Sequence, residues 1–505
     1  MVSENGAARG SVCPWLAAVL ALSACATAPH PTAGQLERQI DKASALVADD
    51  RFEAADVELK NALVSDVFPT LPAARRHDAL QLAGFVALRA GDPQRALERL
   101  RSACAMDETT RYDWRLRVFA DNAAEDSADT VVTLTGIAMR WPQMLPDLEP
   151  DRVLGYAMLG LESAGSDADR YTVLSALFAA RLTEEHDDDS DWWQDLALLR
   201  LARGDRAGAR AALLRIRDAY VAIGVEADRR FDDIREGFSA WPGAAQIAAR
   251  TIRMAAERVQ NHPASLEQLV RLADLLGDSL RYEDELQVAD VAIEQVETRG
   301  AQAYTDRDEW YGWLLNGRAS ALFALGRWDA AIIQQQAASD WFATRSGNVG
   351  EVINLGFLYA RVGNPAAALA TVQRVKPGAT NPYGSMQLEQ VKLFAHVQLH
   401  DAAAVEQSLD YLRAHRKDSL GTLEVALLAT GHDEEAAQLL IARLADPRER
   451  HEALLAVQEY DTGLLPPWWQ ALQHRWDDLL RRSDVQEAVA RVGRVAHYHV
   501  NRENH

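Results

Sequence analysis

Leu355, Gly356, Tyr359, Gly363 and Ala368 fall within one stretch, Ile353 to Ala370, reading INLGFLYARVGNPAAALA. Leu355, Gly356 and Tyr359 share one helix face. Gly363 suits the left-handed turn that other residues resist. Pro365 and Ala368 open a second apolar segment. Two short antiparallel helices joined by a tight turn satisfy all of these positions. Gly356 and Ala368 let the two helices approach closely, and a bulky residue at either would splay the pair.

Weaker copies of this pattern run along the chain. Arg51 to Ala55 is the first point where a helix turns and restarts. Leu80, Ala83, Gly84 and Ala87 share a face, Gly91-Asp92-Pro93 breaks the helix, and Ala96, Leu100 and Ala103 share the next face. The pattern returns as Trp193, Leu196, Ala197, Gly204, Ala209 and Leu213, then as Leu315, Ala319, Leu322, Gly326, Trp328, Ala331 and Ala338. It fades into Leu393, His396, His400 and Val405 and returns as Leu423, Leu427, Gly431 and Ala436. By subtraction the turn residues Gly326, Gly363, His400 and Gly431 stand 37, 37 and 31 residues apart.

These residues resemble the tetratricopeptide repeat, which sets a large residue, a Leu-Gly pair and an aromatic on its first helix and a small Ala on its second, with a period of about 34. The resemblance implies an all-α, right-handed superhelix of antiparallel helix pairs. Ser265 followed by Gln268 reads as a capping box that opens a further first helix, running to Leu276. Arg281-Tyr282 opens its partner. Asp107 to Glu185 carries no clean signature, and Thr298 to Arg307 is a longer polar connection. Trp241-Pro242-Gly243 reads as the boundary between two lobes. The expected divisions are a leader at 1–24, a tether at 25–35, degenerate repeats at 36–241 and 242–460, and capping helices with a tail at 461–505. In that last division Trp468, Trp469, Trp476 and Leu479 suit a cap over the array's apolar end, and His497 to His505 reads as frayed.

The composition agrees with a folded helical chain of 505 residues, 48% apolar and 25% charged. The formal net charge of −21 argues against a nucleic-acid backbone or anionic lipid headgroups as broad partners.

Arg9 precedes an apolar run from Val12 to Leu22, short for a permanent span and of signal-peptide length. Leu22-Ser23-Ala24-Cys25 resembles the lipobox of bacterial lipoproteins, although Glu4 offsets Arg9 in a region that is usually plainly basic. The resemblance implies cleavage before Cys25, lipidation of its thiol and, with Ala26 following, an outer-membrane address facing the periplasm. An ordinary secretory signal is the alternative. Ala26 to Gly34 reads as a flexible tether. Cys104 sits among apolar residues and reads as a buried, inert thiol.

Candidates for chemistry are few. His186 to Asp191 is acidic but lacks the glycine and closing glutamate of a calcium loop, and reads as negative charge at a helix N-terminus. His497, His499 and His505 lie on a segment that reads as too loose to fix a metal. No phosphate loop, G-x-S-x-G elbow, H-E-x-x-H helix or dinucleotide fingerprint is present. No cofactor, metal or catalytic residue is expected.

The family resemblance implies instead a concave groove, lined by first helices, that takes a protein or peptide. Residues off the packing face are its candidates: Trp313, Asn316 and Ser320, then Ile353, Phe357 and Arg361, then Gln387, Gln390 and Phe394. The expectation is a non-enzymatic scaffold. An enzyme or small-ligand sensor with a pocket between lobes is the alternative.

Overall fold

The turn that joins two helices recurs in one form. A residue with positive φ ends the first helix: Asp50, Gly91, Glu125, Gly204, Leu280, Gly326, Gly363, His400 or Gly431. The next residue's N–H then reaches a carbonyl in the last turn of that helix. Arg51 reaches Leu46, Asp92 Ala87, Asp126 Asp121, Asp205 Arg200, Arg281 Leu276, Arg327 Leu322, Asn364 Tyr359, Asp401 His396 and His432 Leu427. This is the Schellman closure, which satisfies a carbonyl the helix end leaves over. Where that next residue is Asp92, Asp126, Asp205, Asn364 or Asp401, its side chain also caps the second helix by accepting a backbone N–H.

The computed structural model describes residues 31–148, 153–180, 189–345, 347 and 349–501. The chain forms two compact units, Met1–Ala180 and Arg181–His505. Trp241-Pro242-Gly243, expected to mark a boundary between lobes, lies inside the second.

In the first unit the pairs are α1 (Ala33–Ala48) with α2 (Phe52–Leu63), α3 (Ala73–Arg89) with α4 (Pro93–Cys104), α5 (Arg111–Ala124) with α6 (Ser127–Arg140), and α7 (Val153–Ala164) with α8 (Asp167–Ala179). Helix α1 starts inside the expected tether. Thr32 and Gln35 form a capping box there, so the helix takes over at Ala33. The segment without a clean signature is built of the same pairs. Buried Cys104 is held as a thiol, its pKa pushed up to about 12 by burial.

The second unit begins with α9 (Ser190–Leu201), α10 (Arg206–Leu213), α11 (Ala219–Ala227), α12 (Asp232–Arg235) and α13 (Ala244–Asn261). Pairs follow: α14 (Leu266–Asp278) with α15 (Tyr282–Arg299), α16 (Arg307–Ala324) with α17 (Trp328–Ala343), α18 (Val349–Arg361) with α19 (Pro365–Val372), α20 (Pro382–Gln398) with α21 (Ala402–Ala414), and α22 (Leu420–Thr430) with α23 (Asp433–Ala445). Then come α24 (Arg450–Ala456), strand β1 (Glu459–Asp461), α25 (Pro467–Leu480), α26 (Ser483–Val492) and strand β2 (His497–Asn501). Among the described residues no helix is long and apolar enough to cross a membrane.

Helix α14 is capped differently from the sequence expectation. Ser265 and Gln268 form no capping box. Asp306, from the far end of the pair, accepts the Ser265 hydroxyl at 2.7 Å and the N–H groups of Leu266 and Glu267 at 2.6 and 3.1 Å. Gly356 behaves as its spacing implies. A Cβ there would stand 2.7 Å from Val372 Cγ1 on α19 and 3.1 Å from Val391 Cγ1 on α20.

The second unit is a closed circuit. Helix α24 packs on α11, and β2 lies against α14. The Arg494 guanidinium donates to the Glu226 carbonyl at 2.7 Å and its backbone N–H to Ala227 at 3.0 Å. The Tyr220 hydroxyl donates to the Asn501 carbonyl. The C-terminal segment thus does more than cover α23. It returns to the unit's first helices, and His497 to Asn501 is a paired strand rather than a frayed end.

Candidate interaction surface

First helices of neighbouring pairs touch one another, α14 with α16, α18 with α20 and α20 with α22. They form one layer, and the groove residues expected from the sequence lie on it. Several cannot meet a partner because the protein already covers them. Phe394 is 0% exposed and Ile353 6%, both within the core that runs from α18 to α26. Gln390 is buried and donates to the Thr422 carbonyl at 3.2 Å, and Gln387 donates to the Thr422 hydroxyl at 2.9 Å. These amides tie α20 to the start of α22. Asn316 accepts from Gln335 on α17 at 3.0 Å and from Asn354 on α18 at 3.3 Å. A first helix has neighbours on three sides, so residues off its own pair's packing face still serve the next pair.

Phe357 and Arg361 face a surface that is occupied from within the chain. Arg361 stacks over the Trp469 ring at 4.6 Å from its centroid, and Phe394 meets Trp468 and Trp469 at 5.2 and 5.8 Å. Phe357 packs edge-on against Phe394 at 6.1 Å. Leu464, just before α25, donates its N–H to the Ala324 carbonyl at 2.8 Å. The tryptophans expected to cap the array therefore lie across some of its first-helix layer.

What stays open is a stripe on α16. Trp313, Gly317 and Ser320 recur at helical spacing on one face. Trp313 is 46% exposed, with its ring edge-on to Phe342, and Ser320 is exposed. Half-buried Gly317 makes room for carboxylates of α14 and α15: a Cβ would stand 3.2 Å from Asp274 Oδ1 and 3.7 Å from Glu285 Oε1. Asp274 is itself exposed, whereas Glu285 is buried. Burial, with the negative charges of Asp274 and Asp278, pushes the Glu285 carboxyl up to about 9. The protein crowded around Asp274, and then Asp278, push its carboxyl up to about 7, an effect its contact with water moderates. Sequence reasoning found Trp313 and Ser320 but missed Asp274, which joins the stripe only through the contact of α14 with α16.

A second polar group lies in the first unit, under cover. Asp113 accepts from His77 Nε2 at 2.9 Å, Gln81 Nε2 at 2.6 Å and the Thr110 N–H at 2.6 Å. Arg117 grips Asp129 through two bonds of 3.0 and 2.6 Å. Burial and then Asp129 push the nearby Asp121 carboxyl well above the usual carboxylate range. Asp113, Arg117, Asp121 and Asp129 are all buried, so this group ties helices of the unit together from within.

Of the acidic loop His186 to Asp191, residues 186–188 lie outside the described residues. Its end starts α9, where Ser190 Oγ accepts the N–H groups of Arg217 and Asp218 at 2.9 and 3.0 Å. At the other end of the unit, Asp461 accepts from His497 Nε2 at 3.0 Å and His499 Nδ1 at 2.5 Å.

The fold and this surface define an all-α protein of stacked helix pairs with an open first-helix stripe. No protein-family model matches the chain, and no curated protein matches it. Solved structures resemble it. The Rap protein complexed with competence and sporulation factor is 13% identical, over 81% of this chain and 99% of its own, at a TM-score of 0.32. The Cut9–Hcn1 hetero-tetramer of APC/C is 11% identical, over 91% of this chain and 90% of its own, at a TM-score of 0.29. A structure of Naa15/Naa10 bound to HypK-THB is 12% identical over 80% of this chain, at a TM-score of 0.27, and this chain spans 62% of its length. Likeness of this degree carries no inference about partner or activity.

Proposed function

We propose that the chain is a non-enzymatic scaffold that holds a protein segment along the α16 stripe. The observation that carries this reading is exposed Trp313 and Ser320 on one face of α16, with exposed Asp274 of α14 beside half-buried Gly317 between them. An indole offers apolar area, and a hydroxyl and a carboxylate offer hydrogen-bonding groups. That combination suits an extended segment with apolar and basic side chains. A photo-crosslinking residue placed at Trp313 or Ser320 tests it. The expected result is an adduct with one defined partner, weakened by Asp274→Lys. The control is the same residue at Ile333, 71% exposed on α17, which should give none. Equal labelling at Ile333, or no adduct at either stripe position, overturns the proposal.

We further propose that the scaffold works in a bacterial envelope, tethered by lipid on Cys25 and most simply at the periplasmic face of the outer membrane. Residues 1–30 lie outside the described residues, so the support is the leader's sequence alone. Cys25→Ser should move the protein from the membrane fraction to the soluble one. Unchanged fractionation removes the anchor from the proposal.

A further inference from the structure

The expectation that His497 and His499 cannot hold a metal rests on a loose tail, and the tail is not loose. Strand β2 pairs in parallel with β1, Glu459 opposite His497 and Tyr460 opposite Tyr498. Side chains two apart on a strand project to the same side. His497 and His499 therefore stand together, their ring centroids 4.9 Å apart. The register slips between Tyr460 and Asp461, setting Asp461 opposite Asn501, and the Asp461 carboxylate meets both imidazoles. One ligand atom from each of the three residues lies within 4.8 Å of the others.

The frame around these side chains is fixed. Gln458 is buried, and its side-chain amide donates to the carbonyls of Leu454 at 2.7 Å and Arg494 at 3.1 Å. Its carbonyl oxygen accepts the Ala496 N–H at 2.9 Å, and the Glu459 N–H reaches the Ala496 carbonyl at 3.1 Å. Tyr460 lies between Tyr498 and Tyr220, each ring at 6.4 Å. A buried amide and tilted tyrosine rings hold both strands, while His497, His499 and the Asp461 side chain keep contact with water.

We propose that Asp461, His497 and His499 form a binding site for a divalent transition-metal ion of the zinc class. An ion held at about 2.0–2.2 Å by each of three donors separates them by roughly 3.3–3.6 Å. That spacing lies between the present hydrogen-bond distances and the 4.8 Å span, so modest side-chain rotation suffices. Two imidazoles with one carboxylate favour zinc, copper, nickel, cobalt or ferrous iron over calcium or magnesium, which prefer oxygen alone. Three protein ligands on an exposed face leave coordination positions for water or for a donor from outside. The ion would join β1 to β2 where the C-terminal segment returns on the unit's first helices. This inference is independent of the α16 stripe.

The full chain, made without a histidine tag and stripped with a chelator, is titrated with zinc and with cobalt. The expected result is one equivalent more in the natural chain than in the His497→Ala/His499→Ala double variant. Asp461→Asn should weaken the same equivalent by about tenfold or more. Matching melting curves show that the variants remain folded. Loading with copper(II) adds a measurement that needs no variant, since its electron paramagnetic resonance spectrum should report two imidazole nitrogens. Equal metal content in the natural chain and the folded double variant, or a copper spectrum without imidazole nitrogen, overturns the site.

Discussion

Glu285 is a single carboxyl with a measurable signature. It is 3% exposed, and burial among other acids lifts it from an ordinary 4.5 to about 9. The folded chain therefore holds a proton there that the unfolded chain releases above about pH 4.5. More protons on the folded side mean that stability falls as pH rises from about 4.5 to about 9. Glu285→Gln keeps the shape and removes this ionisation. The variant is predicted to gain on the natural chain by ~1 kcal/mol or more between pH 5 and pH 8.5, measured by urea unfolding. A gap that does not change with pH contradicts the assignment. Glu285 was invisible in the sequence because nothing local says that a glutamate near the start of α15 will be buried beside Gly277 and Gly317. Ile353 and Phe394 failed as groove residues for a related reason. Their periodicity reports the partner helix of their own pair, while their burial comes from the pairs around them. Gly356 was legible because its demand for close approach falls on the adjacent α19 as well as on α20.

At the scale of the element, a glycine in the left-handed turn makes a pair easiest to read in the sequence. Pairs closed by Gly91, Gly204, Gly326, Gly363 and Gly431 announce themselves. Those closed by Asp50, Glu125 and Leu280 have the same geometry without the glycine. That is why α5 and α6 carried no signature although they form an ordinary pair. His400 is an exposed member of this group and has φ +57°. A side chain in that region costs roughly 1–2 kcal/mol that glycine avoids, although glycine's looser unfolded chain returns some of the gain. His400→Gly is predicted to raise stability by about 0.5–1 kcal/mol in urea unfolding, and a loss would show that the imidazole holds the turn in some other way. Strand β2 was hidden for a different reason. Its pairing partner is β1, on the far side of two helices, and no local period records that choice.

The whole molecule is where the sequence was least informative. Helical repeats, the α25 cap and the paired helices were legible because each is written in neighbouring residues. The division at Ala180 and the return of the C-terminal segment rest on meetings such as Arg494 with Glu226 and Tyr220 with Asn501, which join residues more than half the chain apart. An open array tolerates one repeat more or fewer, since each repeat contacts only its neighbours and the ends are free to shift. The second unit lacks that freedom. Every helix pair adds a fixed turn and rise, and the sum must bring α24 back to α11. Duplicating or deleting a pair between α14 and α23 would leave the two ends out of reach of each other. The number of repeats in this unit is therefore a structural constant, and its surface can change by substitution along the helices but not by the gain and loss of whole repeats.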